Sequence, residues 1–343
     1  MKKLISLLVA LTLIVTCLSG MVFAADPIAK VTTGDKTVEV TSVEILLGAI
    51  SSKGDSVVTL LQDITYTDQV KIPICTLDLN GHTWSTKAAA KNAIYFDGKE
   101  KTEREGYNNL KAVVKNGTID AGRTAISINV GALTVQNATL IANAEIPAIQ
   151  LLHGHNATSV KNGEWNDANV MENCTVYCAT GPIFRYNSAA DYSKVKYTIK
   201  NSVLVCESES SPLLMCTPKV TGVGTYELGK GVSFYYKAGN AVNQTGEKAP
   251  VLSGEKIETA EGTKSVTVAG KTYEGLTMAY TDGAAPAAPA TPSTPATPST
   301  PATPSVPATG TPDVSVPTTG VSVAALGVMA VLSLAGAVVT KKH

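Results

Sequence analysis

Between Ala25 and about Asp282, short β-branched and apolar runs alternate with Gly and Asn, the pattern of many brief strands joined by tight turns. One segment breaks that period. Thr41 followed three residues later by Glu44 has capping-box spacing, and Val43, Ile45, Leu46, Leu47 and Ile50 supply an apolar face, which predicts a short helix over about 42–51.

The strand-like region carries an internal repeat centred on Asn. It reads Val114-Lys115-Asn116-Gly117-Thr118-Ile119, Val135-Gln136-Asn137-Ala138-Thr139-Leu140, Met171-Glu172-Asn173-Cys174-Thr175-Val176 and Ile199-Lys200-Asn201-Ser202-Val203-Leu204. A near relative, Leu79-Asn80-Gly81-His82-Thr83-Trp84, lies upstream. Aligned on the Asn, aliphatic residues fall two before and three after it, and small ones five after it: Ala121, Ala142, Cys178 and Cys206. Such columns suit a parallel solenoid, in which each coil sets the same position over the last at about 4.8 Å and apolar columns fill the interior. Asn116, Asn137, Asn173 and Asn201 then sit at corners, because Asn tolerates the left-handed backbone of a tight turn and its amide can bond to the Asn above and below. The uneven spacing of the repeats implies loops of different length inserted between strands, and the helix near residue 42 is expected to cover the open N-terminal edge.

Residues 55 to about 245 resemble the right-handed parallel β-helix family shared by pectate lyases and many bacterial surface proteins; Leu60-Leu61-Gln62-Asp63 and Leu77-Asp78-Leu79-Asn80-Gly81 look like its first coils. The fold class expected is therefore all-β, a right-handed parallel β-helix with a short N-terminal capping helix. A β-sandwich is the competing architecture, since the spacing is irregular. This fold hosts lyases, hydrolases, adhesins and inert spacers, so it does not by itself choose a function.

The two ends read differently. Met1-Lys2-Lys3, an apolar run from Leu4 to Leu18, and Val22-Phe23-Ala24 before Ala25 have the order of a secretory signal peptide, expected to be removed as residues 1–24. A lipoprotein reading through Cys17 is weakened by the bulk of Thr16 before it. Near the C-terminus, Val316-Pro317-Thr318-Thr319-Gly320 precedes an apolar stretch from Val321 to Val339 and a basic tail of Lys341 and Lys342. This resembles the sorting signal of sortase substrates, whose motif is Leu-Pro-any-Thr-Gly; Val316 stands where that family has Leu. The resemblance implies cleavage after Thr319 and transfer to peptidoglycan, with sortase and the wall as partners and the membrane engaged only through the precursor's apolar segment. A permanent membrane helix is the competing reading. The second pentapeptide, Val306 to Gly310, is followed by polar residues and belongs to the repeat around it.

Between domain and signal, within 283–315, prolines fall at Pro292, Pro295, Pro298, Pro301, Pro304 and Pro307. A period of three matches polyproline II, so these residues predict an extended stalk; at about 3.1 Å per residue, Pro286 to Val316 reaches on the order of 95 Å. The resulting organisation is 1–24 signal peptide, 25–282 β-helix domain, 283–315 stalk and 316–343 sorting signal. The whole chain has a formal net charge of +0, and nothing in its composition points to nucleic acid. Without residues 1–24 and 320–343, 24 basic residues face 28 acids and the net charge is −4. Five of the six cysteines remain, an odd number that argues against a full disulfide framework.

Catalysis on this fold would call for clustered acids on neighbouring coils. The column four after the Asn reads Asp120, Ile141, Tyr177 and Val205, which is not acidic. Of the four polygalacturonase motifs, only Gly154-His155-Asn156 approaches one, and the three arginines, Arg104, Arg123 and Arg185, stand beside no pectate-lyase motif. No catalytic residue, metal site or cofactor is therefore assigned. His153 and His155 share a strand face but lack a third ligand, and Cys174 and Cys178 fall in small-residue interior columns. Cys178 and Cys206, in one column, should be near neighbours held as buried thiols. Three readings remain: a display or adhesion module for a glycan or host-surface ligand, a wall-bound polysaccharide-cleaving enzyme, and a passive spacer. For the first, His153, His155, Trp165, Tyr186 and Tyr192 are the candidate ligand face, although Trp and Tyr also pack under loops.

Overall fold

The computed structural model of the chain describes residues 25–86, 91–97, 111–129, 131–143, 147–151, 168–186, 192–193, 195–216, 222–237, 239–240, 242 and 249–283. These form one helix and a series of β-strands, most of them paired in parallel.

Strands β1 (Ala29–Thr33) and β2 (Lys36–Val40) make an antiparallel hairpin, and helix α1 (Val43–Ala49) follows. The helix is shorter than the 42–51 expected, and its N-cap is Ser42 rather than Thr41. The Ser42 hydroxyl accepts from the Ile45 amide at 3.3 Å. Its Val43 and Leu46 are buried in the main core, while Ile45 is exposed.

Beyond α1 the chain winds through three parallel ladders. The first comprises β3 (Ser56–Leu60), β6 (Thr76–Asp78), the leading halves of β9 (Lys111–Ala121) and β11 (Ala132–Ala142), β13 (Ala168–Glu172), β16 (Lys196–Lys200), β19 (Thr225–Leu228) and β21 (Val251–Gly254). The second takes β4 (Ile64–Tyr66), β7 (Thr83–Thr86), the trailing halves of β9 and β11, β14 (Thr175–Cys178), β17 (Val203–Cys206) and β20 (Ser233–Tyr236). The third is β5 (Val70–Ile72), β8 (Ile94–Phe96), β10 (Ile126–Ile128), β12 (Ile149–Leu151), β15 (Phe184–Tyr186) and β18 (Leu214–Cys216). The arrangement is compatible with an all-β solenoid.

The register stacks like on like. Ile119, Leu140, Val176 and Leu204 are successive partners, as are Val114, Val135, Met171 and Ile199, and all eight are fully buried. Between these columns the chain turns at Asn116, Asn137, Asn173 and Asn201, whose φ values of 59°, 49°, 54° and 45° are left-handed. The amide Nδ2 of Asn173 donates to Oδ1 of Asn137 at 3.1 Å, Asn137 to Asn116 at 3.3 Å, and Asn116 to Asp78 at 3.0 Å. The upstream relative does not extend this column by position. Asp78 pairs with Lys115 and Thr83 with Thr118, so Leu79 to His82 form a longer corner in which Asn80 (φ 50°) is displaced from the ladder. That corner lies so close to Gly117 that a Cβ there would collide with Leu79 and the His82 carbonyl, whereas the next coil carries Ala138 at the same position.

The ends are closed mainly by strands. Antiparallel β1 pairs along the whole of β3, so the hairpin, not the helix, protects the first ladder's N-terminal edge. Helix α1 adds the Glu44 carboxylate, which accepts from the Tyr66 hydroxyl of β4 at 3.2 Å. At the other end β22 (Ile257–Thr259), β23 (Lys264–Val268) and β24 (Lys271–Thr281) are antiparallel, with β24 pairing along β20. This terminal hairpin builds a second apolar cluster with Tyr177, Val205 and Tyr235, in which Tyr177 and Tyr273 stack with centroids 4.7 Å apart.

Two substitutions separate the contributions of core and corner. Leu140→Ala should cost about 2–5 kcal/mol through lost burial and the cavity it leaves. Asn137→Ala should cost about 1–3 kcal/mol, but Asn137→Gly markedly less, since Gly adopts the left-handed turn without strain. Urea unfolding of the three proteins reads this directly; equal losses for Ala and Gly would assign the cost to the amide ladder alone.

Candidate functional site

The third ladder is built from apolar-polar-apolar triplets: Val70-Lys71-Ile72, Ile94-Tyr95-Phe96, Ile126-Ser127-Ile128, Ile149-Gln150-Leu151 and Phe184-Arg185-Tyr186. A period of two sends the outer members of each triplet into the core and the middle one outward. Register pairing lines those middle residues up as Lys71, Tyr95, Ser127, Gln150, Arg185 and Met215. One hydrogen-bonding side chain is thus presented by each of five consecutive coils, about 4.8 Å apart.

Contacts along this column are polar. The Lys71 ammonium lies 5.2 Å from the Tyr95 ring centroid and 4.0 Å from the Asp97 carboxylate, which also accepts from Asn129 Nδ2 at 2.7 Å. Asn92 Nδ2 donates to Ser127 Oγ at 3.1 Å, and Ser127 Oγ to Gln150 Oε1 at 3.5 Å. Although they point away from the core, Ser127 and Gln150 are 0% and 8% exposed. Several polar atoms here are sealed from solvent without a partner: Asn92 Oδ1, Thr124 Oγ1 and Arg185 Nε. Unpartnered buried polar atoms also occur on the other ladders, at Ser85, Thr86, Thr134, Thr175 and Ser233, so these three do not by themselves set the face apart. Burial lowers the pKa of the half-buried Arg185 guanidinium, and the positive charge of Arg123 lowers it further.

Chain connectivity singles out the same face. Links from the first to the second ladder are short, from the continuous strands β9 and β11 to four residues between β6 and β7. Those leaving the third ladder for the first vary far more. Three residues separate β5 from β6 and β10 from β11, but 14 separate β8 from β9 and 16 separate β12 from β13. The longest link therefore departs directly beyond Gln150. Ladders that must stay in register tolerate length change only where the chain leaves them, and that freedom is concentrated at this edge.

The predicted ligand-face residues divide. His153, His155 and Trp165 belong to the link beyond β12 and lie outside the described residues. Tyr186 and Tyr192 do not face a ligand, because both are fully buried. Their rings pack at 4.6 Å, and the Tyr192 hydroxyl donates to the Leu151 carbonyl at 3.3 Å, within an interior cluster that includes Phe184, Tyr197 and Tyr226. Alternation explains the correction: Tyr186 flanks an outward residue and must point in, which leaves the half-buried Arg185 as the outward position. Val316, Pro317, Thr318, Thr319 and Gly320 lie outside the described residues, as does the apolar stretch after them. No helix among the described residues is long and apolar enough to cross a membrane.

Other chemistry-bearing groups are already engaged. On the outer side of the first ladder Lys115 pairs with Asp78 at 3.2 Å and Lys200 with Glu172 at 3.0 Å, a column whose charges neutralise one another. Among the described residues no group of three or more His, Cys, Asp or Glu could hold a metal ion. Cys178 and Cys206 are direct register partners, and Cys75, Cys174, Cys178, Cys206 and Cys216 are all buried in the interior without a disulfide bond. Comparison with family models, curated proteins and solved structures finds no match to this chain.

Burial pushes the thiols of Cys75, Cys174 and Cys178 up to about 12 and that of Cys206 to about 11, from an ordinary 9.0. Each is neutral when protonated and has its pKa raised by folding. The stability this represents is whole below the unfolded value and lost as pH climbs towards the folded one. The melting midpoint should therefore fall between about pH 9 and 12. Alkylation with iodoacetamide at pH 8 should leave these five cysteines unmodified in the native protein and modify all five in urea; native labelling would contradict their burial.

Proposed function

We infer that this chain is an exported Gram-positive surface protein, attached to peptidoglycan at its C-terminus, whose right-handed parallel β-helix binds a glycan or host-surface ligand through the outer face of the third ladder. One observation carries the binding part of this reading. The column running from Lys71 to Arg185 sets hydrogen-bonding groups at regular intervals along the edge where connection length is free to vary. Regularly spaced rungs beside links of differing length are what recognition on a rigid scaffold requires.

Export and attachment rest on sequence order. Residues 1–24 have the layout of a signal peptide, and Val316 to Gly320 with the apolar and basic segments after it has that of a sorting signal. Sortase would cleave after Thr319 and join its carbonyl to a wall amine. The Pro/Thr stalk then sets the domain clear of the wall.

Wall hydrolases, not detergent, should release the mature protein, and mass spectrometry of its C-terminal peptide should find Thr319 joined to a peptidoglycan stem. An intact peptide running through Gly320 into Val321 would sink the attachment. Binding is read by applying the full-length protein to a glycan array, where retention of a defined saccharide class is the expected result and uniform absence of signal the contrary one.

A further inference from the structure

We propose that Arg185, together with Arg123, forms an oxyanion subsite on the third-ladder face, and that the group it takes is a carboxylate or sulfate carried by a saccharide. The saccharide part rests on the binding function proposed above; the subsite itself does not.

Residue choice is the first indication. The chain contains only three arginines among 28 Lys and Arg residues, and the charge of one of them, Arg123, is felt at Arg185. Elsewhere, surface pairs such as Lys30–Glu39, Lys115–Asp78 and Lys200–Glu172 use Lys. Lys serves as a point charge, whereas the planar fork of Arg matches two oxygens of a carboxylate or sulfate at once.

The energetic state of Arg185 is the second. Its Nε is out of contact with water and has no partner, and its two perturbing influences, burial and the Arg123 charge, both disfavour the cation with no carboxylate opposing them. Neighbouring rungs are Gln150 and Met215, so neither supplies a counter-charge. A structural arginine is normally held by an acid or by carbonyls. The Nε of this one has neither among the described residues, and an incoming oxyanion would offset both penalties.

Unpartnered polar atoms on the preceding coils are the third. Thr124, next to Arg123, is fully buried with its hydroxyl unpartnered, and Asn92 is 8% exposed with Oδ1 unpartnered. Asn92, Ser127 and Gln150 form a hydrogen-bonded series leading up the ladder to Arg185. Amide and hydroxyl groups of this kind suit sugar hydroxyls, and the guanidinium suits the acid. The combination selects an acidic saccharide over a neutral one or a bare ion.

Two readouts on the full-length protein test this, with Arg185→Gln, Arg185→Lys and, as a remote control, Lys30→Gln. In the first, thermal melting is followed in sodium chloride and in sodium sulfate at equal ionic strength. Without sulfate Arg185→Gln should melt at or above the parent, because an unfavourably placed cation has been removed. Sulfate should raise the parent's midpoint more than that of Arg185→Gln. In the second, binding to acidic and matched neutral oligosaccharides is compared: Arg185→Gln should weaken acidic binding on the order of tenfold or more, Arg185→Lys by less, and Lys30→Gln not at all. A lower midpoint for Arg185→Gln in chloride, or an equal response to sulfate, would overturn the subsite. Equal retention of acidic and neutral sugars would overturn the saccharide assignment. If no saccharide is retained while the sulfate difference persists, the subsite stands and the glycan-binding function fails.

Discussion

In-register parallel pairing is the constraint on which the rest depends. Once each coil's backbone bonds to the next at a fixed spacing, every position inherits the surroundings of the one beneath it, and side chains must be compatible as columns. Leu140 is tolerated because Ile119 and Val176 flank it. The Asn corners follow from the same rule: a left-handed turn in one coil demands one in the next, and the amides then bond along the stack. Where Leu79 to His82 lengthen the corner, the stack accommodates them only through the missing side chain of Gly117.

The same constraint divides the surface into regions with different freedom. On the first ladder alternating charges cancel along the column, so that face satisfies itself. On the second, Tyr177, Val205 and Tyr235 are covered by the terminal hairpin. The third ladder presents a column of polar side chains in which Arg185 has no opposite charge on the adjacent rungs, and the links that leave it lengthen to 14 and 16 residues.

What the sequence made legible follows from which elements leave a signature. The first two ladders meet at an Asn that recurs with aliphatics at fixed offsets, so their register was readable residue by residue. The third ladder is made of three-residue strands without a corner residue of their own, and links of differing length hide their repeat. Its apolar-polar-apolar triplets were the available signal, weak singly and clear only once aligned. Tyr186 was misassigned for the same reason, since without the triplet register nothing told inward from outward; Tyr192, in the link between β15 and β16, has no alternation to read. The N-terminal cover was anticipated as a helix because the helical spacing of Val43 and Leu46 is conspicuous, whereas a strand's ability to pair antiparallel with β3 is not written in its composition.

The terminal hairpin has a bearing on how the domain can be assembled. Residues after Val251 supply the antiparallel strand that pairs with β20 and the side chains that cover Tyr177 and Tyr235, yet they come last in the domain. Coils stacked before they arrive would end in an open strand edge flanked by an aromatic patch, the combination most prone to join a second, equally unfinished chain. Growth of the stack from its N-terminal hairpin is thus self-propagating, and only the last thirty or so residues of the domain make it finite.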